Sequence, residues 1–162
     1  MKDSEINFPN PYLAGSKEIL YIGGNLNPKN LIKAYSLGIF PWYNIGDPIL
    51  WWCPLVRHVI FIKDFHIPKT IKKTIKKHNY TFSFNKDFMA VISGCATAKR
   101  NDSDTTWITD EMIEGYYKLF LMGRAFSIEV WEDSEIVGGL YGVKIEKYIS
   151  AESMFHKRDN AS

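Results

Sequence analysis

An α+β fold, with a small N-terminal α/β lobe and a larger C-terminal lobe, is predicted by three observations on this 162-residue chain. A short helix bracketed by Asn27-Pro28 and Gly38 is followed at once by an aromatic stretch stiffened by Pro41, Pro48 and Pro54, which suits neither a helix interior nor a central strand. Two helical patterns later in the chain give way to three strand patterns in quick succession between Ala125 and Met154. Charge divides the chain as well: residues 1–55 carry four Lys and four acids, residues 56–100 ten Lys/Arg against two acids, and residues 101–162 six against twelve. The boundary is placed at Leu55, giving lobes of residues 1–55 and 56–162.

Asn27 is the expected N-cap and Pro28 the first residue of a helix over 28–37, with Leu31, Ala34 and Tyr35 on one face and Gly38 as its left-handed stop. Val56 to Ile62 is rich in β-formers and reads as a strand leading into the second lobe. From Pro68 to Lys77, Ile71 and Ile75 stand four apart among Lys69, Lys72, Lys73, Lys76 and Lys77, the pattern of an amphipathic basic helix. Tyr80, Phe82 and Phe84 alternate as a strand, after which Asn85 is expected to cap a helix carrying Phe88, Val91, Ile92 and Cys95. Ala98 to Thr106 reads as a polar loop. Thr109 caps the next helix, with Asp110 and Glu111 in its first turn, Ile113, Tyr116, Tyr117 and Phe120 as its apolar face, and Gly123 as its stop. Strands over Ala125 to Glu132, Ile136 to Val143 and Tyr148 to Met154 then form an antiparallel meander. Gly138-Gly139 within it marks a bulge or a close approach by other atoms.

Composition bounds the function classes. At 46% hydrophobic and 23% charged residues, the chain is globular rather than disordered. Its longest uncharged run, Ala34 to Gly46, is too short to span a bilayer, and Met1 to Gly15 lacks a basic segment followed by an apolar one, so a soluble, cytoplasmic protein is expected. Cys53 and Cys95 are far apart, and His58, His66, His78 and His156 are scattered. Neither a zinc site nor a structural disulfide fits such spacing.

Two features hold functional promise. Trp42, Trp51 and Trp52 place three of the five tryptophans within eleven positions. Such rings either stack on flat ligands or pack a corner of the core, and composition leaves both open. The lysine helix is either a solvated face or a surface for a polyanion.

A series of local strings is more specific. Phe8-Pro9, Gly23-Gly24-Asn25-Leu26, Gly38-Ile39-Phe40-Pro41-Trp42, Pro48-Ile49-Leu50-Trp51-Trp52, Thr106-Trp107-Ile108-Thr109, Ser127-Ile128-Glu129-Val130-Trp131, Val137 to Val143 and Glu152-Ser153-Met154-Phe155 occur in this order. Together they resemble the leucyl/phenylalanyl-tRNA–protein transferase family. The resemblance implies a C-terminal lobe like the GNAT acyltransferases, and an aminoacyltransferase that moves Leu or Phe from its tRNA to the N-terminal Lys or Arg of acceptor proteins, in the bacterial N-end rule of protein degradation. It implies no metal and no acetyl-CoA, hence no cofactor. By position in the matching strings, Trp42 and Trp107 resemble the residues that contact the terminal adenosine. Leu140, Ile149 and Met154 resemble the pocket for the Leu or Phe side chain, Ile149 standing where an aromatic is common. Glu152 resembles a supporting active-site carboxylate. The basic helix then becomes a tRNA-backbone surface through Lys69, Lys72, Lys73, Lys76 and Lys77.

The family pattern continues beyond Ser162, and its later Asp and Gln, assigned to activating the amine, have no counterpart here. The expectation is therefore a truncated C-terminal lobe with a poorly covered sheet. The rival functions are a non-catalytic module that binds aminoacyl-tRNA or other RNA, and an acetyl-CoA N-acetyltransferase. Gly138, Gly139 and Gly142 lie in a strand rather than before a helix, which weighs against the latter. Asp102, Asp104 and Glu152 are the acids considered for attracting a basic acceptor residue.

Overall fold

The computed structural model describes residues 4–13, 15, 18–98 and 106–162, and among them the chain is mixed α+β with four α-helices and two antiparallel sheets. Strand β1 (Ile19–Ile22) precedes helix α1 (Pro28–Ser36). The Asn27 side chain accepts from the Asn30 N–H at 2.8 Å, Pro28 fills the first turn, and Gly38 follows at φ +76°, so both ends of α1 form as the sequence dictates. Leu31, Ala34 and Tyr35 are buried, as their spacing requires. The short β2 (Phe40–Pro41) and β3 (Leu50–Trp52) complete a three-stranded sheet in the order β1-β3-β2.

The segment after Leu55 corrects one expectation. Val56 to Ile62 forms no strand: Val56 is 81% and Ile60 76% exposed, and a single 3-10 turn spans Ile62–Asp64. β-propensity describes a fit to a half-buried pleated surface, and this segment has no strand to pair with. Helix α2 (Lys69–His78) follows, closed by Asn79 in the left-handed region at φ +53°; it buries no residue.

Strand β4 (Thr81–Phe84) leads to α3 (Phe88–Thr97), on which Phe88, Val91, Ile92 and Cys95 are buried. The expected Asn85 cap is a second correction. Asp87 caps α3 by accepting from the Ala90 N–H at 2.9 Å. Asn85 instead turns the chain at φ +58° and accepts from the Ser127 N–H at 2.9 Å. Helix α4 (Asp110–Leu121) is capped by Thr109, which accepts from the Met112 N–H at 3.2 Å, and Gly123 follows it at φ +69°. Its buried face is Met112, Gly115, Tyr116 and Leu119, rotated from the expected set, with Tyr117 37% exposed. Gly115 lies against Leu26 and Leu31, so the helix turns its smallest residue to the entry of α1.

Strands β5 (Ala125–Glu132), β6 (Glu135–Ile145) and β7 (Tyr148–His156) form the meander, and β4 joins its edge in the order β4-β5-β6-β7. Both readings of Gly138-Gly139 hold. Val130 pairs with Gly138 and Trp131 with Ile136, leaving Val137 as an extra residue just before the glycines. A Cβ on Gly138 would also collide with the Ala161 carbonyl, which lies against the strand. A second irregularity matters more for function. Tyr141 pairs with Ser153 and Gly142 with Ala151, so Glu152 is the extra residue of β7.

Helices α1, α3 and α4 cover one face of the larger sheet, and one core runs from Ile6 and Phe8 through Trp51, Tyr35 and Tyr116 to Phe155. Burial on the other face gathers Tyr80, Val130, Val137 and Ala161. Beside them Phe82, Phe84, Ile149 and Met154 are each more than half exposed.

A carboxylate fixes the junction of β4, β5 and α3. Glu129 is fully buried; it accepts from the Ser127 hydroxyl at 2.5 Å, the Asp87 N–H at 3.2 Å and the Lys86 N–H at 3.3 Å, and from the Ser83 hydroxyl. Burial pushes its pKa up, and the hydrogen bonds from Ser127, Ser83 and the Asp87 and Lys86 backbone outweigh that, leaving it below the ordinary value.

Candidate functional site

A cavity of about 280 Å³ is lined by Phe40, Pro41, Trp42, Arg57, Trp107, Ser150, Ala151 and Glu152. Four segments distant in sequence converge there: the exit of β2, the stretch after β3 that carries Arg57, the lead-in to α4 and the bulged stretch of β7.

The tryptophans divide by role. Trp51 is fully buried; it donates its indole N–H to the Gly23 carbonyl at 2.9 Å and packs edge-on to Phe8 at 4.9 Å, so it belongs to the core. Trp52 is a brace: its indole N–H donates to the Trp42 carbonyl at 2.6 Å, and the two rings are 5.4 Å apart. Trp42 itself, 48% exposed and held to Leu50 by a 2.9 Å backbone hydrogen bond, is the wall. Trp107 lines the same cavity from the segment that enters α4, where its neighbour Ile108 is buried. One hydrogen bond ties the two ring-bearing segments together, between the Tyr43 and Thr109 hydroxyls at 3.1 Å. The next residues along both segments, Tyr43 and Ile108, face a larger hollow of about 630 Å³ that also meets Asp47, Asp110 and Glu111.

Glu152 reaches the cavity because it is the extra residue of β7. Behind it stands a chain of tyrosines: the Tyr116 hydroxyl donates to a Glu152 carboxylate oxygen at 3.5 Å, Tyr35 and Tyr116 share a 2.6 Å hydroxyl contact, and the Tyr148 hydroxyl donates to the Tyr35 carbonyl. Burial pushes the Glu152 pKa above the ordinary carboxylate value, and its contacts with Tyr35, Ser150 and Tyr116 and the Arg57 charge only partly offset this. Burial first, and the Glu152 charge second, hold the Tyr35 and Tyr116 phenols well above their usual pKa, so both remain hydrogen-bond donors at neutral pH.

The other expected residues lie elsewhere. Leu140 and Met154 pair directly across β6 and β7, and Ile149 pairs with Lys144, so these three share the outer face of the sheet while Glu152 faces the helices. Lys69, Lys72, Lys73, Lys76 and Lys77 lie on the exposed α2. Asp102 and Asp104 lie outside the described residues. Among the described residues no group of His, Cys, Asp or Glu gathers in a manner that could hold a metal ion, and no helix is long and apolar enough to cross a membrane.

Sequence reasoning missed Arg57 and the tyrosines behind Glu152. Arg57 carries a faint signal, as the one arginine among residues 1–99 in a stretch otherwise supplied with lysine. Arginine's planar fork is the cation suited to a fixed, directional contact.

Two indoles, a partly buried carboxyl group and one guanidinium around one cavity, in an α+β fold, are a lining suited to a flat, polar ligand. Comparison with known proteins gives the family. The model described as leucyl/phenylalanyl-tRNA protein transferase matches residues 59–162, and that described as its N-terminal domain matches residues 24–55. The chain is 51% identical over 158 residues to the leucyl/phenylalanyl-tRNA–protein transferase of Thermodesulfovibrio yellowstonii, covering 98% of this chain and 64% of that protein. The protein of the same name from Desulfatibacillum aliphaticivorans is 42% identical over 97% of this chain and 67% of its own length. That from Legionella pneumophila strain Corby is 46% identical over 99% and 71%. This chain belongs to the leucyl/phenylalanyl-tRNA–protein transferase family, and it spans between 61% and 74% of the length of such relatives.

Proposed function

We propose that this chain serves an aminoacyltransferase reaction in which Leu or Phe passes from its tRNA to the N-terminal Lys or Arg of an acceptor protein, feeding N-end rule degradation in the cytoplasm. One observation carries the reading: Trp42, Trp107 and Glu152, separated in sequence by up to 110 positions, line one cavity.

In this reading the terminal adenosine of the donor stacks on Trp42 and Trp107, each stack contributing roughly 1–3 kcal/mol. The tyrosine-backed Glu152 takes a hydrogen bond from the ribose or the amine. The donor ester is already activated, so the task is to hold it beside a neutral α-amine. The amine nitrogen attacks the ester carbonyl, a C–N bond forms, the C–O bond to the tRNA ribose breaks, and the amine proton ends on the released hydroxyl. Leu140, Ile149 and Met154 lie on the opposite face of the sheet from Glu152, so a donor seated in this cavity does not rest its side chain on them. Lys69, Lys72, Lys73, Lys76 and Lys77 meet tRNA phosphates without reading sequence. The lobes divide at residues 1–55 and 56–162, the second being GNAT-like. No cofactor takes part.

The experiment is transfer of label from Leu-tRNA or Phe-tRNA to a protein beginning with Lys or Arg. Transfer supports the reading. Binding of aminoacyl-tRNA without transfer assigns a binding module instead, and labelling from acetyl-CoA alone would overturn both.

A further inference from the structure

Arg57 is the one cation among the eight residues lining the cavity. Its guanidinium lies 4.7 Å from the centre of the Phe40 ring, and one N–H reaches the Gly38 carbonyl at 3.5 Å. These two contacts aim the group while using little of its capacity, since a guanidinium carries five donors. Arg57 takes part in none of the ion pairs among the described residues, although Glu152 lines the same cavity. A guanidinium held over a ring, with most of its donors free beside two indoles, is arranged to receive an anion attached to a flat ring system.

We propose that Arg57 binds the 5′-phosphate of the nucleotide whose base stacks on Trp42 and Trp107. This rests on the adenosine reading of the cavity and adds to it a specific anchor for the backbone. The chemistry supports that source. A terminal adenosine carries a single nearby anion, its 5′-phosphate, one ribose away from the base. An acceptor's amine, whose N–H groups donate, finds its acceptor in Glu152 and none in Arg57, so the two side chains sort donor backbone from acceptor within one cavity. The role is positioning: fixing the phosphate sets the ribose, and hence the ester, relative to Glu152.

The test titrates the full 162-residue chain with adenosine, adenosine 5′-monophosphate and inorganic phosphate, read by tryptophan fluorescence. The expected result is adenosine monophosphate binding about tenfold tighter than adenosine, a difference of about 1.4 kcal/mol. That ratio should fall towards one in Arg57→Ala and be partly kept in Arg57→Lys, with salt weakening the nucleotide but not the nucleoside. Equal affinity for the two ligands in the parent chain, or a ratio unchanged in Arg57→Ala, overturns the proposal. Inorganic phosphate competing at the same concentration as the nucleotide overturns the assignment to a nucleotide. If neither nucleoside nor nucleotide binds and Trp42→Ala changes nothing, the stacking reading itself fails and takes this one with it.

Discussion

Replacing Glu129 by Gln isolates what one buried carboxylate contributes. Four donors converge on it: the Ser83 and Ser127 hydroxyls and the Lys86 and Asp87 backbone N–H groups. Glutamine keeps one acceptor oxygen and turns an NH2 towards a hydroxyl, which can accept from it, and a backbone N–H, which cannot. The hydroxyls can rotate; the two N–H groups, one to each oxygen, cannot, so at least one is left without its acceptor. A hydrogen bond to a charged group contributes about 1.5–3 kcal/mol, and an unsatisfied buried group costs about 1–3 kcal/mol. The expected loss is therefore about 2–4 kcal/mol at pH 7, a large part of an ordinary domain's stability. The pH dependence follows from the lowered pKa. The contribution is fully present above the ordinary carboxylate pKa and is lost as pH falls through the depressed folded-state value. Urea denaturation of parent and variant, followed by circular dichroism, should show a wide gap at neutral pH that narrows as the solution is acidified below the ordinary carboxylate pKa. A gap below about 1 kcal/mol at pH 7, or one that does not narrow in acid, would refute the reasoning.

Glu152 should behave in the opposite sense. Its raised pKa means the folded state favours the protonated form, so its contribution is greatest below the ordinary carboxylate pKa and turns unfavourable as pH rises through the folded-state value; Glu152→Gln should melt no lower than the parent at pH 7 while aminoacyl-tRNA binding or transfer falls, and parallel loss of both would assign it a structural role. Trp42→Ala should weaken adenosine binding by roughly 1–3 kcal/mol, whereas Trp52→Ala should act mainly by loosening Trp42, and equal effects on an unrelated ligand would count against stacking. Charge reversal at Lys72 and Lys73 should weaken all tRNA sequences alike and flatten the salt dependence, measured by filter binding across ionic strength; unchanged affinity would remove α2 from the interface. The apolar outer face around Phe82, Phe84, Ile149 and Met154 should cause concentration-dependent association, which sedimentation checks directly and a monodisperse monomer would contradict.

Where local chemistry decides, the sequence was readable. Asn27, Thr109, Gly38 and Gly123 marked helix ends by cap chemistry that acts within a turn, and the meander followed from short loops that leave adjacent strands no alternative. Val56 to Ile62 failed because a strand needs an edge, and edges are a tertiary fact. Asn85 failed because two residues near one turn can both cap, and the one that does depends on which backbone N–H, Ser127's or Ala90's, each can reach. At the site, Trp42, Trp107 and Glu152 were readable as motif members. Arg57 and Tyr35, Tyr116 and Tyr148 were not, since their contacts with Phe40 and with one another are made across the fold.

The extra residue in β7 makes strand length part of the specification. Ser150 and Met154 are four positions apart, yet the shift at Glu152 sends them to opposite faces, since Ser150 lines the cavity and Met154 pairs with Leu140 outside. The strand thus has a reading frame. Deleting Glu152 would restore simple alternation with Ser150 and Phe155 still on the helix side, and would remove the carboxylate that the bulge turns into the cavity. The sheet would pair equally well without this residue, so the extra position serves the cavity and not the strand.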